Sequence, residues 1–259
     1  MRRSERHHLK ENAFAVFIGG LRQQLQDVGP TLGVGVAIGV VGLVLYGGYS
    51  WWSERAASQA GLLLATALVV ADAPVVPPAP PTPPAGEDAG AEAAPEAPFV
   101  QPAGTYPSVA AKMTEAVPKL LEAAEAYPNT SAGVTARYRA ATGLAALGRH
   151  NESADQYLQV IERDGAGVYT RMATLGLADV ELARGGYDAA ITLLEESTSA
   201  EAAELLPIDG VLMRLGQAYE LAGRTDEARA TFQRVLEEFP QSVYAANAER
   251  ELESLQAQG

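Results

Sequence analysis

Few residues in this chain could do covalent or metal chemistry. There is no cysteine, which removes thiolate nucleophiles, thiolate metal ligands and disulfides together. Of three histidines, His7 and His8 stand four and three residues before Glu11, close enough to suggest a metal ion. Two adjacent imidazoles in a short charged head read more simply as solvated groups. One histidine remains, too little for a catalytic triad or a zinc site. Asp and Glu number 32, but no pattern in the sequence converges them. No G-x-x-x-x-G-K phosphate loop occurs. The residues therefore predict no enzyme and no cofactor, and direct attention to surfaces that bind.

The elements that would position such a surface begin with an apolar stretch. Val28 to Ser53 is 26 residues without a charge. A bilayer core roughly 30 Å thick needs about 20 apolar residues at ~1.5 Å each, so the stretch is expected to be a transmembrane helix. Arg2, Arg3, Arg6, Lys10 and Arg22 precede it. The positive-inside rule then keeps residues 1–27 cytoplasmic and exports the rest. Phe14, Phe17, Ile18, Leu21 and Leu25 recur at helical spacing and predict an amphipathic segment at the inner leaflet. Trp51 and Trp52 suit the opposite interface, and Gly35, Gly39 and Gly42 form a small-residue face for helix packing. A cleaved signal peptide fits less well, because its apolar core is about 7–15 residues.

The head carries a net charge of +2, leaving −15 on the remainder. Such a body lacks the basic face that nucleic acid or anionic lipid demands. Residues 54–72, rich in Ala and Leu, predict a helix. Residues 73–107 hold 11 of the 16 prolines and predict a disordered, extended insert.

From 108 to 257 the chain repeats with a period near 37. Its clearest copy contains Leu215, Gly216, Tyr219, Gly223, Ala228, Phe232 and Pro240. Gly216 and Ala228 are small where two antiparallel helices would cross. Gly223 would end the first helix, Thr225 would cap the second and Phe232 would fill the space between. These residues closely resemble the tetratricopeptide repeat. Gly148 and Gly185 mark two weaker copies, with Ser153 and Ala190 at the small position and Tyr157 as the aromatic. Ala126-Tyr127-Pro128-Asn129-Thr130 echoes Glu238-Phe239-Pro240-Gln241-Ser242 three repeats later. The expected fold is all-α: a transmembrane helix, then an α-solenoid of about four helical pairs and a polar capping helix to residue 257. Residues 54–72 would supply the first helix of the first pair, split from its partner by the insert. Pro118 is expected to kink that partner.

The layout resembles bacterial envelope proteins with one span and a periplasmic repeat body, in particular the YfgM-like family of ancillary SecYEG translocon subunits. That resemblance implies a binding role at the inner membrane, with the C-terminal domain periplasmic and with partners among membrane complexes, exported polypeptides and chaperones. Two roles are open: a translocon-associated adaptor, or a constitutive subunit of an outer-membrane-assembly or cell-division complex. The resemblance further implies a groove lined by the first helix of each pair. With Gly148, Gly185 and Gly223 as the common mark, its residues are Tyr138, Thr142, Met172, Leu175, Asp179, Leu182, Met213 and Gln217. No Lys and Asn stand there to clamp a C-terminal carboxylate. A mostly apolar groove is expected instead, occupied by a partner segment or by the proline insert.

Overall fold

The computed structural model describes residues 30–78, 100–198 and 207–257, and its side chains at 30–34, 36 and 37 lie outside the description. The expectations for residues 1–29, including the amphipathic segment and His7, His8 and Glu11, fall outside it too. The described helices are α1 (Pro30–Ala71), α2 (Val109–Ala126), α3 (Ser131–Ala146), α4 (His150–Asp164), α5 (Val168–Ala183), α6 (Tyr187–Glu196), α7 (Ile208–Leu221), α8 (Thr225–Glu238) and α9 (Ala245–Ala257). The chain divides into two units, Met1–Ala56 and Ala57–Gly259.

In the first unit α1 starts on Pro30, whose missing N–H is no loss at a first helical position. From Ile38 to Trp52 the large apolar side chains are exposed, and Arg55 lies 4.0 Å over the Trp51 ring. Nothing among the described residues packs on Gly35, Gly39 or Gly42. Among the described residues no helix is long and apolar enough to cross a membrane. Two helices were expected, one before and one after residue 53, yet α1 is continuous for 42 residues. Gly61 does not interrupt it, since a helical glycine costs only about 1 kcal/mol among good helix formers.

In the second unit the later part of α1 packs through Ala67, Val70 and Ala71 on Ala116, Leu120 and Ala123 of α2. The Tyr127 hydroxyl donates to Gln59 at 2.6 Å and Lys112 donates to the Ala73 carbonyl at 3.1 Å. The two helices therefore run antiparallel. Both described ends of the proline insert are held rather than loose. Val75 and Tyr106 form a β-bridge, and the Tyr106 and Val76 amides donate across it at 3.0 and 2.8 Å. A bridge there closes the loop, so the two helices can pair across the long insertion. Pro118 stays inside an unbroken 18-residue α2 on its exposed side, where water can serve the carbonyl that loses its amide partner.

Three further pairs follow, α3–α4, α5–α6 and α7–α8. Each first helix ends on a glycine of positive φ: Gly148 at 72°, Gly185 at 79° and Gly223 at 73°. Each closes two turn bonds: Gly223 N–H to Glu220 O at 2.9 Å and Arg224 N–H to Tyr219 O at 2.8 Å, with equivalents at Gly148 and Gly185. A Cβ at these left-handed positions would be strained. The cap expected from Thr225 is absent. Helix α8 begins on Thr225 itself, and Arg224, paired with Glu227 at 2.9 Å, stands before it. The echo between Tyr127 and Phe239 is a conformational one: both end a helix with nearly the same backbone angles, φ −136° and −131°. Helix α9 buries Ala248, Leu252 and Leu255 and presents Glu249, Arg250 and Glu253 to solvent.

Candidate functional site: the first-helix face and a cavity between two repeats

The three regular pairs share one packing rule. A second-helix residue fills the crossing: Tyr157 in α4, Leu194 in α6, Phe232 in α8, all buried. Opposite stand Ala141, Ala178 and Gly216, and beside them the buried Ser153, Ala190 and Ala228. A Cβ on Gly216 would come within 2.4 Å of the Phe232 ring, so glycine there lets that ring seat. Ser153 keeps the rule by donating its hydroxyl to the Ala141 carbonyl at 2.8 Å, which satisfies a group too buried for water. Tyr219 is buried against its neighbours, donates to Glu195 at 2.5 Å and lies under the Arg224 guanidinium at 4.7 Å. Pro240 is exposed just past the end of α8.

The expected groove divides in two. Met213 is 5% exposed and belongs to the core with Val211, Leu212 and Phe232. Leu175 and Leu182 are half-buried against that same core. Tyr138 is half-buried among Tyr157 and Tyr169, at ring separations of 5.9 and 5.5 Å. Met213 lies in the core and the other three pack on neighbouring core residues, so packing consumes the apolar surface that the sequence assigns to a ligand. Thr142, Met172, Asp179 and Gln217 are exposed. Thr142, Asp179 and Gln217 hold the same place in successive first helices, 37 and 38 residues apart, and define an open polar face.

At the middle of that face lies a cavity of about 210 Å³, lined by Thr142 and Ala145 of α3, His150 and Tyr157 of α4, and Gly176, Asp179, Val180 and Ala183 of α5. The Thr142 Oγ1 and Tyr157 hydroxyl are 3.2 Å apart. The His150 Nδ1 is buried without a hydrogen-bond partner in the structure. Asp179 sits 3.3 Å from Arg214 Nε of α7. Desolvation raises its carboxyl pKa above the ordinary value, and Arg214 offsets only part of that. Burial likewise pushes the Tyr157 phenol up. A Cβ on Gly176 would come within 2.4 Å of Tyr157, so glycine is needed where the tyrosine reaches across to the next repeat.

The cavity has a cause in the repeat itself. Counted back from each marker glycine, Gly176 occupies the place held by Arg139 in α3 and Arg214 in α7. Each arginine bridges to an aspartate of the preceding first helix or its end: Arg139 to Asp72 at 3.5 Å, Arg214 to Asp179 at 3.3 Å. Between α3 and α5 the corresponding residues are Thr142 and Gly176, so the bridge is missing and space is left. His150, Gly176 and Arg214 were not singled out by the sequence, although lining up the marker glycines exposes the substitution. Among the described residues no group of three or more His, Asp or Glu could hold a metal ion.

The tetratricopeptide repeat model matches residues 138–205 and 175–243. Similar solved structures include MamA, residues 41 to its end, from Desulfovibrio magneticus RS-1, at 20% identity and TM-score 0.47 over 57% of this chain and 76% of that one. A putative kinesin light chain with nearly identical TPR-like repeats from Podosopora anserina gives 19% identity and TM-score 0.47, over 57% and 84%. A comparison with curated proteins finds no match.

Proposed function

We infer that this chain, in which residues 138–243 are a tetratricopeptide-repeat array, is a protein-binding scaffold held at a membrane by its N-terminal helix. The observation that carries the binding role is the open first-helix face, where Thr142, Met172, Asp179 and Gln217 remain exposed after every pair has stacked. A solenoid that leaves one side chain per repeat in register on one face offers an extended partner regularly spaced contacts.

The membrane anchor is supported by the charge-free stretch 28–53 and by apolar side chains exposed from Ile38 to Trp52. Exposed valine, leucine and tryptophan on a helix that no other described residue covers are costly in water and suited to lipid. The basic head before the stretch favours a cytoplasmic N-terminus and an exported repeat array. The resemblance to the YfgM-like family is what supports a role for the array in the periplasm beside the secretion translocon, meeting exported chains or chaperones.

A photoreactive amino acid at Met172 or Gln217, activated in intact membranes, should crosslink partner chains. The same probe at Gln233, exposed on the second helix α8, should not. Equal labelling from all three positions would overturn the assignment of the face. Transient crosslinks to many exported chains would mark an adaptor, and one stoichiometric product a fixed subunit. External protease on spheroplasts should cut after residue 55 and spare the head.

A further inference from the structure

The cavity between α3, α4 and α5 lies where the neighbouring repeat junctions place an arginine side chain; its walls hold Thr142 at the place of the bridging aspartate, together with Asp179, the aspartate of the next junction. Asp179 offers a half-exposed carboxylate, 3.3 Å from Arg214, whose pKa desolvation raises and Arg214 lowers. Tyr157 and Thr142 offer hydroxyl oxygens, and His150 Nδ1, in the tautomer protonated at Nε2, offers a buried acceptor with no partner. Ala145, Val180 and Ala183 line the remainder with methyl groups. At about 210 Å³ the space is below that of ordinary small-molecule sites, ~300–1,000 Å³, and suits one long side chain.

We propose that this cavity is a subsite for one lysine side chain of an extended peptide, its ammonium standing where Arg139 and Arg214 stand at the flanking junctions. The four-carbon stem lies along the alanine and valine wall, and three N–H donors meet the carboxylate, a hydroxyl and the imidazole nitrogen. Arg214 does not close the site. Its contact with Asp179 is a half-exposed pair, weakly held and screened by salt. Charge also chooses among occupants. The chain's own insert carries Glu87, Asp88, Glu92 and Glu96 and no Lys or Arg, so it is repelled from Asp179. The occupant is a segment of another protein.

The inference rests on the reading of the array as a binding scaffold, and peptide titration separates the two. Full-length protein in detergent is titrated with a capped peptide, Gly-Ser-Ala-Lys-Ala-Ser-Gly, and with versions carrying norleucine, arginine or glutamate in place of lysine. Lysine should bind about fivefold or more tighter than norleucine, and glutamate most weakly. Asp179→Asn should erase the lysine preference. Thr142→Arg, at an exposed position, supplies a resident cation at the rim and should block the lysine peptide while the circular dichroism melt stays cooperative. Equal binding of lysine and norleucine peptides, or an unchanged preference in Asp179→Asn, overturns the subsite and leaves the scaffold reading intact. No binding of any peptide at millimolar concentration, with partner crosslinking from Met172 retained, also overturns the subsite alone. Loss of both removes the scaffold reading as well.

Discussion

The last helical pair and the middle junction place an aromatic ring at the same repeat position, and they use it differently. Phe232 sits on Gly216 within its own pair, fully buried, and the α7–α8 crossing is filled with hydrocarbon. Tyr157 reaches past its own pair to Gly176 of the next helix, its hydroxyl beside Thr142, and a mostly apolar cavity with a few polar groups in its wall remains. One hydroxyl and one glycine convert a sealed crossing into an open one. The C-terminal pair is filled at its crossing, and the middle junction leaves a cavity beside the same repeat position.

The largest expected effect breaks the sealed side of that comparison. Phe232→Ala leaves a ring-sized void beside Gly216 and should cost about 3–5 kcal/mol by urea unfolding. Tyr157→Phe removes only the 3.2 Å hydroxyl contact beside an exposed threonine, and should cost about 1 kcal/mol or less. A loss from Tyr157→Phe as large as that from Phe232→Ala would mean that the hydroxyl, through more than its contact with Thr142, holds the middle junction together.

Next in size is the turn that both regions share. Gly223→Ala forces a Cβ into φ +73° and should cost about 1–2 kcal/mol, as should Gly148→Ala at φ +72°. Because repeat arrays couple only neighbouring units, hydrogen exchange should show the loosening confined to the pairs on either side of each glycine. Spread of the Gly148→Ala effect to α9 would show that the array behaves as one cooperative block instead.

Those glycines were legible in the sequence for the reason that makes them costly to change. A left-handed residue is a local demand of the chain, and it leaves a letter at a fixed spacing. The Leu215–Phe232 signature was legible because helix crossings require small beside large. Which groove positions face solvent was not legible. Met213 and Leu175 look the same in sequence whether they meet a ligand or the next repeat, and stacking decides. The cap at Thr225 failed because the helix starts one residue earlier than expected, which makes Thr225 its first helical residue and puts Arg224 at the capping position. The long α1 was hidden by a change of composition near residue 54 that the backbone does not register. Gly176 was readable in principle, as the one copy that lacks arginine at its place, but only after the three marker glycines are superposed.

A smaller effect sharpens the contrast between Ser153 and Ala228, equivalent residues in the two regions. Ser153→Ala leaves the Ala141 carbonyl without its 2.8 Å donor in a buried site, and should cost about 1 kcal/mol. The measurement is the urea midpoint at constant m-value, since an altered m would report a changed unfolded or native state. A midpoint equal to wild type would show that water reaches the carbonyl, and that this crossing is less sealed than its burial indicates.

The smallest effect has the opposite sign. Desolvation raises the Asp179 carboxyl pKa in the folded chain, with Arg214 opposing. A carboxyl whose folded pKa lies above its unfolded value holds its proton longer in the native state. Its contribution is therefore most favourable at low pH and is lost as pH rises through the folded pKa. At neutral pH the ionised Asp179 is then a mild liability, reduced by half-exposure to water and by the arginine 3.3 Å away. Asp179→Asn should raise the melting temperature at pH 7 by about 1 °C, with the gain shrinking toward pH 4. The same variant should lose its preference for lysine peptides. A group that binding needs and stability does not is the expected signature of a functional carboxylate. If Asp179→Asn instead lowers the melting temperature at pH 7, the bridge to Arg214 outweighs the desolvation. The α5–α7 junction would then hold a stabilising contact like the one between Arg139 and Asp72.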